Sequence, residues 1–120
     1  SYTHQQMPNH STPLETTARE VKARLDKGER LHLIDVREPF EHQTASIAGA
    51  ELIPMRTIPA NLQHIDSIAD QAPVIVFCHH GMRSLQTVNW LRQQGVENCQ
   101  SMSGGIDAWS LNVDPAVRRY

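Results

Sequence analysis

Branched aliphatic residues gather in two short, mostly apolar runs: Leu31 to Val36, and Val74-Ile75-Val76-Phe77 just after Pro73. Apolar runs of this length are expected of strands covered on both faces. Elsewhere the apolar spacing changes to three and four. Ala18, Val21 and Leu25 share one face of a segment that Thr16 or Thr17 can cap and Gly28 ends, so a helix is predicted to about Lys27. Leu62, Ile65 and Ile68 mark the inward face of a second helix over Ile58 to Ile68. Leu85, Val88 and Leu91 mark a third over Ser84 to Gln94, stopped by Gly95. Pro39 opens a short helical turn over Glu38 to Ala45. Gly49 and Ala50 lead into a tight turn and a short strand at Leu52-Ile53-Pro54. Cys99 to Met102 reads as another strand, and Gly104-Gly105 introduces a last short helix through Ala108-Trp109. Strands that alternate with helices imply an α/β fold with a parallel sheet covered on both faces.

Composition narrows this picture. A chain of 120 residues fits one domain. Residues 1–13 are polar and are expected to form a flexible lead-in; 14–120 are expected to form the single domain, undivided by any repeat or linker. With 39% apolar and only 5% aromatic residues, small aliphatic side chains must fill the interior. The net charge of −2 and the scattered Lys and Arg exclude a nucleic-acid partner. No run reaches the roughly 18 apolar residues of a membrane span. Two cysteines, Cys78 and Cys99, make neither a disulfide framework nor a zinc knuckle, and a reducing cytoplasm is the expected compartment. Asp114 to Tyr120 carries no readable element, and Trp109, Leu111 and Val113 suit either core or surface.

The chemistry concentrates where the best strand ends. Cys78 follows Phe77, and His79, His80, Gly81, Met82, Arg83 and Ser84 carry the chain into a helix. Ligands of open parallel sheets bind at the carboxyl ends of strands. A cysteine reacts as its thiolate, which needs a positive surrounding. A curled loop offers successive backbone N–H groups, and the following helix adds its positive N-terminal end. Gly81 allows a positive φ, Ser84 is placed to act as N-cap, and Arg83 brings a full charge to the rim that suits an anionic substrate. A strand-end cysteine taken alone is more often a structural thiol; with glycine, arginine and a helix start behind it, Cys78 reads as a nucleophile. His79 and His80 point apart as loop neighbours and have no further ligand near in sequence, so neither metal nor cofactor is expected. Either histidine tunes the thiolate, meets substrate or simply faces solvent. Nothing around Cys99 favours its thiolate, so it reads as structural rather than as a resolving thiol.

Three segments together resemble the single-domain rhodanese-like sulfurtransferases: Leu33-Ile34-Asp35-Val36-Arg37-Glu38-Pro39 with Glu41; Ile47-Ala48-Gly49-Ala50 leading to Ile53-Pro54; and Val76-Phe77-Cys78 through Ser84. Gly104 to Trp109 adds a weaker fourth. The resemblance implies a rhodanese fold: a central, mainly parallel five-stranded sheet with helices on both sides. It also implies a double displacement. A sulfane sulfur passes from a donor such as thiosulfate to Cys78, then to an acceptor such as cyanide, a small thiol or a protein thiol. Asp35 and Arg37 match an Asp-x-Arg element of the family. They are expected to be structural, with Arg37 pairing Glu41 and Asp35 bonding loop N–H groups. Ser46 stands where many relatives have histidine. Cysteine phosphatases of the dual-specificity type and arsenate reductases are the nearest rivals, but they separate Cys from Arg by five residues. Here four intervene, and a shorter loop makes a tighter ring, which suits a persulfide better than an oxyanion. A non-enzymatic binding module is the other alternative, and the presence of Cys78 speaks against it.

Overall fold

The structure, a computed structural model, describes residues 12–120, so most of the expected lead-in lies outside the described residues. Five strands form one sheet, all parallel, in the order β1-β5-β4-β2-β3. They are β1 (Glu15–Thr17), β2 (His32–Asp35), β3 (Glu51–Leu52), β4 (Val74–Phe77) and β5 (Cys99–Ser103). The helices are α1 (Ala18–Asp26), α2 (Pro39–Thr44), α3 (Leu62–Ala69), α4 (Met82–Gln93) and α5 (Gly105–Asn112). Among the described residues no helix is long and apolar enough to cross a membrane.

The pleat divides the core into two layers. Val74 and Val76 of β4 pack with Ile34, Ile65, Val88 and Leu91 beneath α3 and α4. Ile75 and Phe77 turn the other way, onto Ala18, Val21, Met102, Ile106 and Trp109 beneath α1 and α5. All four residues of β4 are therefore buried, which is why its sequence shows no alternation. Trp109 belongs to this second layer, Val113 packs partly against it, and Leu111 is exposed.

Several predicted boundaries move for local reasons. Strand β1 has no counterpart among the predicted elements. Glu15-Thr16-Thr17 buries only Thr16, and three residues give no period to read. Thr17 ends β1 and caps α1 at once: its hydroxyl accepts from the Glu20 N–H, and the Glu20 carboxylate accepts from the Thr17 N–H. The helix expected from Ile58 begins at Leu62. Two 3₁₀ turns, Met55–Thr57 and Pro59–Asn61, occupy the approach, since Pro59 has no N–H to extend a preceding turn. The inward face of α4 is Ser84, Thr87, Val88 and Leu91, with Leu85 only partly buried. Strand β3 sits at Glu51–Leu52, one residue early. In register, Asp35 pairs with both Leu52 and Phe77, so the carboxyl ends of β2, β3 and β4 lie level at one edge of the sheet.

Candidate active site

Cys78 is the first residue beyond β4 and is buried. The chain then curls back. Gly81 takes φ of +109°, where a side chain is strained, and a Cβ there would stand 3.0 Å from the Gly104 nitrogen. This turn directs the Gly81 N–H at Cys78 Sγ over 3.1 Å, and the Ser84 N–H reaches the same sulfur at 3.3 Å. Both donors belong to the start of α4, so the positive end of that helix also faces the sulfur.

Ser84 is not the N-cap. Gly81 holds that position, α4 begins at Met82, and Ser84 is fully buried in its first turn. Its hydroxyl lies 3.4 Å from Cys78 Sγ, 2.7 Å from Ser101 Oγ on β5, and donates to the Gly81 carbonyl at 3.2 Å. The glycine is able to cap because its left-handed conformation turns the chain into the helix without a side-chain acceptor.

A second helix braces the loop from outside. The N–H groups of Ile106 and Asp107, in the first turn of α5, bond the carbonyls of Cys78 (2.8 Å) and His79 (3.1 Å). These carbonyl oxygens are thereby engaged by α5 while N–H groups face the sulfur. The contact needs Gly105: a Cβ at that position would collide with the carbonyl oxygens of both Cys78 and His79.

Arg83 is no free rim cation. Its Nη1 and Nη2 donate to Glu41 Oε1 and Oε2 at 2.8 and 3.0 Å. The carboxylate also accepts from the Glu38 N–H and from the Tyr120 hydroxyl. Arg83, helped by the latter donors, outweighs burial and holds the Glu41 carboxyl down at about 2. In return Glu41 pushes the Arg83 guanidinium still higher.

Arg37 pairs with Asp35 rather than with the Glu41 side chain, and both are fully buried. Its Nε and Nη2 grip the Asp35 carboxylate at 2.8 and 2.6 Å. Its other N–H groups reach the carbonyls of Glu41 and Ala45 and the Tyr120 hydroxyl, so all five donors are used. Asp35 takes the Arg37 N–H and His42 Nδ1 as well, and bonds no N–H of the Cys78 loop. This pair is a brace behind the site.

The loop histidines do not point apart as expected of loop neighbours: their ring centroids lie 3.9 Å from each other with the planes tilted by 33°, although their settings differ. His79 stacks on the Tyr120 ring, and burial together with His80 lowers its pKa. His80 is exposed and lies 3.9 Å from Asp107. Met82 is 73% exposed. Among the described residues no group of three or more His, Cys, Asp or Glu side chains is gathered as a metal site requires. Cys99 is buried on β5, bonds the Val96 carbonyl, and burial pushes its thiol up to about 11.

Glu41, Ser101, Gly105 and Tyr120 thus join the site without having been singled out as its parts. Glu41 carried a signal, its spacing of four from Arg37, but that spacing points to the wrong arginine. Tyr120 carried none.

The model of the rhodanese-like domain matches residues 17–112. The chain belongs to the rhodanese-like domain family. It is 36% identical over 97 residues to the thiosulfate sulfurtransferase GlpE of Pseudoalteromonas translucida, covering 79% of this chain and 87% of that protein. It is 40% identical over 89 residues to the Rhodanese-like/PpiC domain-containing protein 12, chloroplastic, of Arabidopsis thaliana, covering 73% of this chain but 30% of the plant protein. The solved rhodanese-like domain protein of Staphylococcus aureus superposes with a TM-score of 0.75 at 29% identity, over 90% of this chain and 99% of that one. A rhodanese-like fold with a five-stranded parallel sheet and flanking helices is thereby established, and sulfurtransferases are among the relatives.

Proposed function

We propose that this rhodanese-like chain transfers a sulfane sulfur through a persulfide on Cys78. The observation that carries the reading is the convergence of the Gly81 and Ser84 N–H groups on Cys78 Sγ. Such donors stabilise negative charge on sulfur, in the thiolate and in the persulfide alike. The Cys78 thiolate attacks the outer sulfur of thiosulfate. A Cys–S bond forms, and the S–S bond of the donor breaks with its electron pair leaving on sulfite. An acceptor nucleophile, cyanide or a thiolate of a small molecule or protein, then takes the outer sulfur and returns the pair to Cys78. The two steps balance without an external oxidant or reductant. Arg83 keeps three N–H donors beyond the two given to Glu41, which suits an anionic donor at the loop rim.

Mass spectrometry after incubation with thiosulfate tests this. The expected result is a gain of one sulfur atom on the peptide bearing Cys78, lost again on adding cyanide with release of thiocyanate. No gain on Cys78, or full transfer by Cys78→Ser, would overturn the reading. Hydrolysis of an aryl phosphate without sulfur transfer would instead favour a cysteine phosphatase.

A further inference from the structure

Beyond α5 the chain crosses back to the catalytic loop. The Asp114 N–H bonds the Trp109 carbonyl, the Val117 N–H and the Ala116 N–H both return to Asp114, and Arg119 pairs with Asp107 of α5 at 2.8 Å. These contacts deliver Tyr120 to the site, where it meets three of its residues. Its ring stacks on His79, with centroids 3.9 Å apart and planes 3° from parallel. Its backbone oxygen lies 2.9 Å from His79 Nε2. Its hydroxyl accepts from Arg37 Nη1 and donates to Glu41 Oε2, both at 2.8 Å. The Arg37 guanidinium also sits 5.6 Å from its ring centre. Burial, with Glu41 beside it, outweighs Arg37 and raises the phenol to about 12, so it remains a donor to the carboxylate at neutral pH.

We propose that Tyr120 is a positioning residue for sulfur transfer, which fixes the Cys78 loop through its ring and Arg83 through its hydroxyl. The inference rests on the function proposed above and extends it to a segment in which the sequence shows no pattern. Two arguments support it. His79 is the residue next to Cys78, its carbonyl is already held by α5, and the stack holds its side chain. The loop is thus pinned on two sides beside the sulfur. Glu41 has four donors, and its orientation sets the fork of Arg83; removing the phenol leaves one carboxylate oxygen with a donor fewer and one buried Arg37 N–H without an acceptor. Arg83 is then held less firmly where an anion would meet it.

The full chain carrying Tyr120→Phe, which keeps the ring, is compared with Tyr120→Ala, which loses both parts. Transfer from thiosulfate to cyanide is measured together with alkylation of Cys78 by neutral iodoacetamide and anionic iodoacetate. For Tyr120→Phe, KM for thiosulfate should rise about fivefold with a smaller fall in kcat, and the iodoacetate-to-iodoacetamide rate ratio should fall about as much. For Tyr120→Ala, kcat should fall about tenfold as well, since the His79 stack is lost. Thermal shifts with unchanged KM, kcat and alkylation ratio in both variants would make Tyr120 merely structural and overturn the proposal. If Tyr120→Ala does not fold, Tyr120→Phe decides. If the unaltered chain transfers no sulfur, the functional reading fails, and the alkylation ratio alone still decides whether Tyr120 sets the charge at the loop.

Discussion

Arg83 lays both terminal guanidinium nitrogens on the carboxylate of Glu41, at 2.8 and 3.0 Å, and so closes the Cys78 loop as a neutral pair rather than as a cation. The consequence is electrostatic. The backbone N–H groups and the end of α4 supply the positive field at Cys78, while Arg83 is anchored for an anion approaching from outside. Glu41 belongs to α2 and Arg83 to α4, so this single contact also ties two helices from distant parts of the chain across the carboxyl edge of the sheet.

That tie is acid-sensitive in a definite direction. The Glu41 carboxyl is held at about 2 in the fold, below its ordinary value. The folded protein therefore binds fewer protons than the unfolded chain there. Its contribution is complete above the ordinary carboxylate range and is lost as pH falls through that range toward 2, a loss of up to about 3 kcal/mol. Glu41→Gln should lower stability at pH 7 and flatten the acid limb of a stability-versus-pH curve from denaturant titrations. An acid limb identical to that of the parent would show that Glu41 does not titrate in this way.

The Asp35–Arg37 brace makes a different demand, since its partners are not exchangeable. Arg37 spends five N–H donors on five acceptors with no solvent to replace them. Arg37→Ala strands the Asp35 carboxylate and should cost about 3–5 kcal/mol. Arg37→Lys keeps the charge but loses the fork, and should still cost about 2 kcal/mol. Urea unfolding of both variants checks the order; a lysine variant as stable as the parent would mean that charge alone suffices.

The sequence made legible the parts whose cause is local. The apolar run of β4, the helix stops at Gly28 and Gly95, and the loop from Cys78 to Arg83 all announce themselves in neighbouring residues. The partner of each arginine does not. Arg37 is expected to pair with Glu41, yet it lies between β2 and α2 and turns its guanidinium back onto Asp35. Ser84 resembles a cap, and only the left-handed φ of Gly81 moves the cap back and frees the Ser84 hydroxyl for Cys78 and Ser101. Strand β1 owes its place to β5, and Tyr120 owes its place to His79, Arg37 and Glu41, all distant in sequence, and no local pattern encodes such contacts.

Two glycines separate strain from collision. Gly28 and Gly105 both have positive φ, at +83° and +59°. Around Gly28 a Cβ would meet nothing within 4 Å, whereas at Gly105 it would strike the carbonyl oxygens of Cys78 and His79. Gly28→Ala should therefore cost about 1 kcal/mol, the strain alone, and leave sulfur transfer intact. Gly105→Ala must also push α5 away from the loop, breaking the Ile106 and Asp107 hydrogen bonds, and should reduce transfer by about tenfold or more beside a larger stability loss. Equal effects of the two substitutions would mean that α5 does not brace the loop.

The two cysteines provide the sharpest contrast, because both are buried and only their surroundings differ. Cys78 Sγ faces two N–H donors and the start of a helix. Cys99 Sγ donates to the Val96 carbonyl among apolar neighbours, and burial raises its thiol to about 11 despite the nearby Arg92. At pH 8 roughly one Cys99 in a thousand is ionised by that displacement, too few to compete for sulfur. Thiosulfate should therefore load Cys78 alone, and Cys99→Ala should keep loading and turnover close to the parent while losing about 1 kcal/mol of stability for the deleted sulfur in its packed layer. If Cys99→Ala abolishes turnover while Cys78 still loads, Cys99 is an acceptor in the relay and the distinction between the two thiols fails. In register Cys99 lies opposite Val74, at the amino end of β4, while Cys78 follows the carboxyl end of that strand, so a Cys78–Cys99 disulfide, seen as the loss of two hydrogens in intact-mass analysis under non-reducing conditions, would contradict this pairing.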